Sequence, residues 1–136
     1  MADGCEGAGA RVVRSRAEVG QLGEDLAADH LRSQGMEVVE RNWRCALGEL
    51  DIVALERTPR GTIGVFCEVK CRTGVGFGGP LESITYAKLR RLRQLAAEWL
   101  AVHTEGRRFQ NIRIDAVGVI MIAGRPPQID HVRGIG

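Results

Sequence analysis

The stretch VFCEVKCR at residues 65–72 combines the marks of a buried β-strand with an acid and a base two residues apart. Side chains of a strand alternate between its two faces, so Val65, Cys67 and every second residue after them line one face. Glu68 and Lys70 then lie side by side on the other face. This pairing predicts either a modest ion pair on a solvated strand or a polar site built into a sheet.

Composition indicates one domain. The chain has 136 residues, of which 44% are hydrophobic and 26% are charged, which suffices for a single hydrophobic core. The formal net charge of +2 permits an anionic partner without requiring one. Because there is no long apolar run and no signal-peptide pattern, we expect a soluble, cytoplasmic protein without membrane contact.

The four cysteines form no C-x-x-C pair. Cys67 and Cys71 are four residues apart on one predicted strand, about 13 Å by strand rise, which is too far for a disulfide. The three histidines share no spacing with the cysteines that would suit zinc. Reduced, mostly buried thiols are therefore predicted.

Periodicity predicts the element order helix, three strands, helix and strand. Ser15 and Glu18 form a capping box that starts the first helix, and Gly35 ends it. The later elements are predicted at residues 36–44, 48–56 and 62–72 (strands), 81–103 (helix) and 112–122 (strand), with a short edge strand at 128–132. The Gly-rich residues 73–80 are interpreted as a connector, and residues 1–14 as a flexible tail before a single domain at 15–136.

The predicted fold is α/β, an αβββαβ order with a mixed sheet flanked by helices. In the second strand, strict alternation places Leu50 and Ile52 on one face and Asp51 with Val53 on the other. A short hairpin joins this strand to the one carrying Glu68.

Asp51, Glu68 and Lys70 come together if their two strands are antiparallel neighbours that share a face. Mg²⁺ binds through one or two carboxylates and takes its other ligands from water and phosphate, so two acids beside a lysine suit phosphodiester hydrolysis. The alternative is a solvated salt bridge, which contributes about 0 to 1 kcal/mol. The metal site gains support because Glu24, Asp51 and Glu68 each lie next to apolar residues, where an unpaired carboxylate is costly.

Four segments together resemble the YraN-like family of small bacterial proteins. They are RNWRCALGELDIVALE, VFCEVKCR, GFGGPLESITYAKLRRLRQLAAEWL and IRIDAVGV, and they follow one another in order over residues 20 to 122. The resemblance implies a restriction-endonuclease-like, or PD-(D/E)xK, fold related to archaeal Holliday-junction resolvases. Leu50 departs from the motif name, because it stands where a proline would precede the aspartate.

The resemblance also implies roles for individual residues. Asp51 and Glu68 would hold Mg²⁺ or Mn²⁺, the backbone carbonyl of Val69 would be a further candidate ligand, and Lys70 would be the motif lysine. Glu24 looks like the glutamate that junction resolvases add from the first helix, although an ordinary helix-surface acid explains it equally well.

A nuclease also needs a surface that binds phosphates. The candidate nucleic-acid-binding residues are Lys88, Arg91, Arg72 and Arg44. Lys88 is singled out because the resemblance includes it, whereas any single arginine on a helix flank could simply face water. With 4% aromatic residues, recognition by backbone and shape is favoured over base stacking.

Two functions from different classes follow. The first is a metal-dependent endonuclease that hydrolyses DNA, with branched or junction DNA among the candidate substrates and a homodimer expected by analogy with resolvases. The second is a nucleic-acid-binding or assembly module without catalysis on the same fold. A glycosidase acid pair is set aside, because Lys70 would favour ionisation of both acids when one must stay protonated.

Overall fold

The structure is a computed structural model that describes residues 15–73, 80–103, 109 and 111–136. The predicted tail at residues 1–14 and most of the predicted connector, at residues 74–79, lie outside the described residues. The elements are α1 (Arg16–Ser33), β1 (Glu37–Cys45), β2 (Gly48–Thr58), β3 (Gly61–Thr73), a short 3₁₀ helix (Pro80–Ser83), α2 (Tyr86–His103), β4 (Asn111–Met121) and β5 (Gln128–Val132).

The five strands form one mixed sheet in the order β1-β2-β3-β4-β5. The β1–β2, β2–β3 and β4–β5 pairs are antiparallel, whereas β3 and β4 are parallel. A parallel pair needs a crossover connection, and α2 lies in that connection. The predicted α/β class with its αβββαβ order is confirmed, and so is the short edge strand, β5.

The two helices cover opposite faces of the sheet. Ala27, Ala28 and Leu31 of α1 pack against one face, and residues such as Leu95 and Trp99 of α2 pack against the other. On β3, Val65 and Cys67 contact the α1 side while Phe66 contacts the α2 side, as the alternation predicts. β3 is therefore covered on both faces, and of its charged residues Glu68 ends this buried stretch and Lys70 follows it.

Helix ends follow their capping residues. The predicted capping box is present, because the Ser15 side chain accepts from the Glu18 backbone and the Glu18 side chain accepts from the Ser15 backbone. The second helix was predicted to begin at residue 81, which is wrong: α2 begins at Tyr86. Thr85 precedes it and its Oγ1 accepts from the Lys88 backbone N–H at 3.2 Å, which is an N-cap interaction.

The strict alternation predicted for β2 is also wrong at one place. Leu50 packs in the α2-side core together with Val53, whereas Ile52 and Ala54 pack in the α1-side core. Two residues that should share a face therefore lie on opposite faces. The irregularity falls at Asp51, between them.

Candidate active-site cleft

Asp51 lies where β2 and β3 separate. The Cα pairing of these strands runs from Thr58 and Gly61 at the hairpin to Ile52 and Cys67. Asp51 is the next residue of β2, and its Oδ2 accepts from the Val69 backbone N–H at 2.8 Å. Its side chain thus satisfies a donor of β3 next to the point where the backbone ladder ends.

A cleft of about 560 Å³ opens at this separation, between α1 and the strands. Its walls include Glu24 of α1, Asn42 of β1, Asp51 of β2, and Lys70 and Cys71 of β3. The helix comes close because residue 23 is glycine: a Cβ there would lie 2.5 Å from the Cys71 Sγ. This close approach brings Glu24, the next residue, to the cleft.

The Asp51 carboxyl group is unusually basic. Burial and, second to it, the negative charge of Glu68 raise its pKa from 3.8 to about 7, and the hydrogen bond from the Val69 N–H opposes both effects. The Glu24 charge also contributes to the increase. Glu68 and Glu24 therefore both lie close enough to Asp51 to repel its negative charge.

Glu68 is held by two lysines from different elements. Its side chain is 9% exposed, and its Oε2 lies 3.2 Å from Lys70 Nζ and 3.3 Å from Lys88 Nζ. Lys88 stands in the first turn of α2, where the helix dipole disfavours a cation. The neighbouring Lys70 and partial burial lower the pKa of Lys88. The predicted proximity of Glu68 and Lys70 is confirmed, and α2 adds a second ammonium to the same carboxylate.

Glu24 is buried, with 8% of its surface exposed, and does not lie on the outer surface of α1. Arg41 Nε donates to its Oε1 at 2.8 Å, and Asn42 Nδ2 donates to the same oxygen at 2.9 Å. Arg41 also pairs with Asp25 at 2.6 Å. Sequence reasoning missed the contacts of Arg41 and Asn42 with Glu24; the only signal was two polar side chains in the middle of β1.

The other candidate phosphate-binding residues are placed differently. Arg44 lines the cleft and pairs with Glu49 at 3.0 Å. Arg91 of α2 donates to the Leu47 carbonyl oxygen at 2.9 Å, so it supports the β1–β2 turn. Arg72 is half-buried near the end of β3. Of the four, Arg44 lines the cleft and Lys88 pairs with the candidate site residue Glu68.

The donor atoms of the cleft suit a hard cation. No group of three or more His, Cys, Asp or Glu side chains within the described ranges is arranged to hold a metal ion. Mg²⁺ does not need one, because it binds through one or two carboxylates and keeps several waters. Asp51 in the cleft wall and Glu68 beside the cleft provide two carboxylates, and Asp51 is a buried acid whose pKa is raised by burial and by the charge of Glu68. Carboxylate oxygens are the ligand type that Mg²⁺ and Mn²⁺ prefer.

Comparison with known proteins identifies close relatives. A "UPF0102 protein" of Mycobacterium ulcerans (strain Agy99) is 45% identical over 122 residues, which cover 90% of this chain and 97% of that protein. Those of Mycolicibacterium smegmatis and Mycobacterium avium (strain 104) are 48% and 49% identical over 122 residues, or 90% of this chain and 95% and 92% of theirs.

None of the helices in the described part of the chain has the length and apolar character to cross a bilayer. Residues 23–119 match the family described as "Uncharacterised protein family UPF0102". The matched range includes Asp51, Glu68 and Lys88. The resemblance to YraN-like proteins is confirmed, and the chain belongs to the UPF0102 family.

Proposed function

We propose that this protein is a divalent-metal-dependent endonuclease that hydrolyses phosphodiester bonds of DNA in the cleft beside Asp51. One observation carries the proposal. A buried acid with a pKa of about 7, a second buried acid that repels it, and a lysine on that second acid meet where two central strands separate. The restriction-endonuclease-like fold, which the resemblance to YraN-like proteins implies, would support the same activity.

Each side chain of the site would have a separate role in metal binding or phosphate binding. Asp51 and Glu68 would hold Mg²⁺ or Mn²⁺, with the Val69 carbonyl as a further candidate ligand. Such a cation, when bound, supplies Lewis acidity toward a phosphoryl oxygen and lowers the pKa of water. Lys70 and Lys88 would bind phosphate oxygens and offset the negative charge that develops during hydrolysis. Glu24 would add a third carboxylate from α1.

The substrate follows from charge and geometry. Lys88, Arg44, Arg72 and Arg91 would contact the phosphate backbone, which carries no sequence information by itself. We therefore propose structure-dependent recognition, with branched or junction DNA as the preferred form and a homodimer as the state that cuts two strands symmetrically. Because the proposed substrate is cellular DNA, we also propose a cytoplasmic location.

The decisive assay compares a four-way junction with a linear duplex of the same sequence, each incubated with Mg²⁺, Mn²⁺ or a chelator. Glu68→Gln and Lys70→Ala should each lower cleavage by at least about 100-fold, because each removes a group that stabilises the transition state. Glu98→Gln is the matched control, since Glu98 is an exposed acid on α2 away from the cleft. Cleavage that persists in Glu68→Gln would contradict the assignment.

A second candidate function has its own support. Two of the acids proposed for the site already have protein cations as partners: Glu68 has Lys70 and Lys88, and Glu24 has Arg41. A non-catalytic nucleic-acid-binding or assembly module would retain these ion pairs, because it has no need to bind a metal ion. That module predicts salt-sensitive DNA binding that survives Asp51→Ala, together with no cleavage in either metal.

A further inference from the structure

His131 of β5 lies between a buried acid and a second histidine. Its side chain is 7% exposed, and its Nε2 lies 2.8 Å from Asp115 Oδ2 on β4. Its other ring nitrogen, Nδ1, lies 3.1 Å from Nε2 of His30 on α1, and the two rings meet edge to face. His131 therefore connects the edge strand both to the sheet and to α1.

The partner on β4 fixes a proton on one nitrogen of His131. Burial opposes the ionisation of Asp115, but hydrogen bonds from Arg113 and His131 outweigh it and lower its pKa, so Asp115 is a carboxylate. A carboxylate only accepts hydrogen bonds, so the His131 Nε2 must carry a hydrogen and donate it. The charge of His131 then depends on its Nδ1 alone, the nitrogen that faces His30.

The contact between the two rings has room for one hydrogen atom. At 3.1 Å, one nitrogen donates and the other accepts through its lone pair. Both nitrogens of an imidazolium carry hydrogen, so two imidazolium rings would direct two N–H groups at each other. The hydrogen bond is therefore compatible with at most one positive charge on the pair, and a second proton must separate the rings.

The neighbouring charges do not compensate a second proton. Four charged side chains form one network with His131: Asp115 and Arg113 of β4, Glu56 of β2, and Arg133, which follows β5. The two arginines already pair with the two acids, at 2.6 to 2.9 Å. A second imidazolium would therefore add a positive charge to a network that is already balanced.

Protonation of His30 is disfavoured in the folded protein. Burial lowers its pKa most, followed by the positive charges of His131 and Arg133. No anion of β3 offsets this effect, because burial holds the pKa of the Cys67 thiol well above its ordinary value. The unfolded chain binds more protons below the ordinary pKa of 6.5, so stability is complete above pH 6.5 and decreases as the pH falls toward the lower folded value.

We propose that the His30–His131 contact is a pH-sensitive latch, which holds β5 and residues 133–136 in place beside α1 and opens when both rings are protonated. Residues 133–136 depend on the same anion, because the Gly134 N–H donates to Asp115 Oδ1 at 3.0 Å. The adjacent Ile135 N–H donates to the Ile114 carbonyl oxygen at 2.8 Å, which makes it a reporter of opening. The latch does not depend on the proposed function, since neither histidine lines the cleft.

Amide hydrogen exchange of the full chain, followed by NMR, tests the latch. The buffer contains a chelator, so that no metal ion bridges the two rings. After correction for the intrinsic effect of pH on exchange, the Ile135 amide should exchange at least about 10-fold faster at pH 5 than at pH 8, because an opening that takes up one proton becomes tenfold more favourable per pH unit.

His30→Gln should abolish this response. The glutamine amide can donate to or accept from His131 Nδ1, but it takes up no charge. His103→Gln is the matched control, because His103 lies on α2, where it contacts Glu40 at 3.4 Å and the Trp99 carbonyl oxygen at 2.9 Å. This control should respond as the wild type does. An equal response in the wild type and in His30→Gln would overturn the latch.

The imidazole resonances of the wild type give a test that needs no variant. They are followed down to the pH at which both rings are protonated. The loss of protection at Ile135 should coincide with the second protonation of the pair. Two protonated rings with Ile135 still protected would overturn the proposal, and so would a loss of protection while the pair carries a single added proton.

Discussion

Replacing Asp51 by asparagine should stabilise the protein while removing its proposed activity. Asp51 is a buried acid whose pKa is raised to about 7 by burial and by the charge of Glu68. At pH 8 the folded protein must ionise this group in an unfavourable place. Asparagine has nearly the same shape, carries no charge, and can still accept the Val69 N–H through its side-chain oxygen.

The expected gain depends on pH in a defined direction. An acid whose pKa is higher in the folded than in the unfolded state costs nothing below its unfolded value, and the cost grows as pH rises toward the folded value. Between 3.8 and about 7 the cost reaches about 4 kcal/mol, at about 1.4 kcal/mol per pH unit. Asp51→Asn should therefore stabilise by up to about 4 kcal/mol at pH 8 and by about 2 kcal/mol at pH 5.

Urea unfolding of wild type and variant at the two pH values measures this difference. Asp25→Asn is the contrasting control, because hydrogen bonds from Arg41 and Gln21 lower the pKa of Asp25, so its loss should not stabilise at pH 8. If the free energy of unfolding of Asp51→Asn followed that of the wild type at both pH values, the raised pKa and the charge repulsion behind it would be refuted.

Two further changes test the packing around the sheet. Gly20→Ala should stabilise α1 by up to about 1 kcal/mol, because nothing lies within 4 Å of its new Cβ. Gly23→Ala should be about 1–3 kcal/mol less stable than Gly20→Ala, since its Cβ would lie 2.5 Å from the Cys71 Sγ, and equal melting temperatures would contradict the close approach of α1. Asp115→Asn should lose about 3–5 kcal/mol in urea unfolding, because it removes the fully buried anion that pairs with Arg113, which then keeps its ion pair with Glu56; a loss below about 1 kcal/mol would show that the Asp115–Arg113 pair is not needed.

The elements and their order were predictable because they depend on periodicities that the sequence carries directly. The apolar alternation of residues 65–67 specifies a strand covered on both faces, and Ser15 with Glu18 specifies the start of α1. The pairing of Glu68 with Lys70 followed from the same alternation. The start of α2 was missed because the apolar pattern continues through residue 81, whereas the Thr85 cap decides where the helix begins.

The arrangement of the cleft depends on contacts between residues distant in sequence. Lys88 reaches Glu68 from another element, and Arg41 reaches Glu24 from the next strand. Alternation also failed at Asp51, because the opposite strand contains a left-handed residue, Asn42. A period-two pattern cannot register an irregularity that two strands share, so sequence reasoning found the acids but not the residues that orient them.

Two buried aspartates, Asp51 and Asp115, have opposite pKa shifts because their hydrogen-bond and charge partners differ. Burial opposes the ionisation of Asp115, but hydrogen bonds from Arg113, His131 and the Gly134 N–H outweigh it and lower its pKa. Asp115 is fully buried, and those partners connect β4 to β5 and the chain end.

Asp51 receives one backbone hydrogen bond and lies near other acids, so its pKa moves the opposite way. Asp115 already has Arg113 as an ion-pair partner at 2.7 Å, so an added cation would gain little there. A carboxylate that the fold leaves short of positive charge gains directly from one, because each cation contact replaces repulsion by attraction. The pKa of Asp51 is raised and that of Asp115 is lowered. This difference is the strongest physical reason to test for metal binding at Asp51 and not at Asp115.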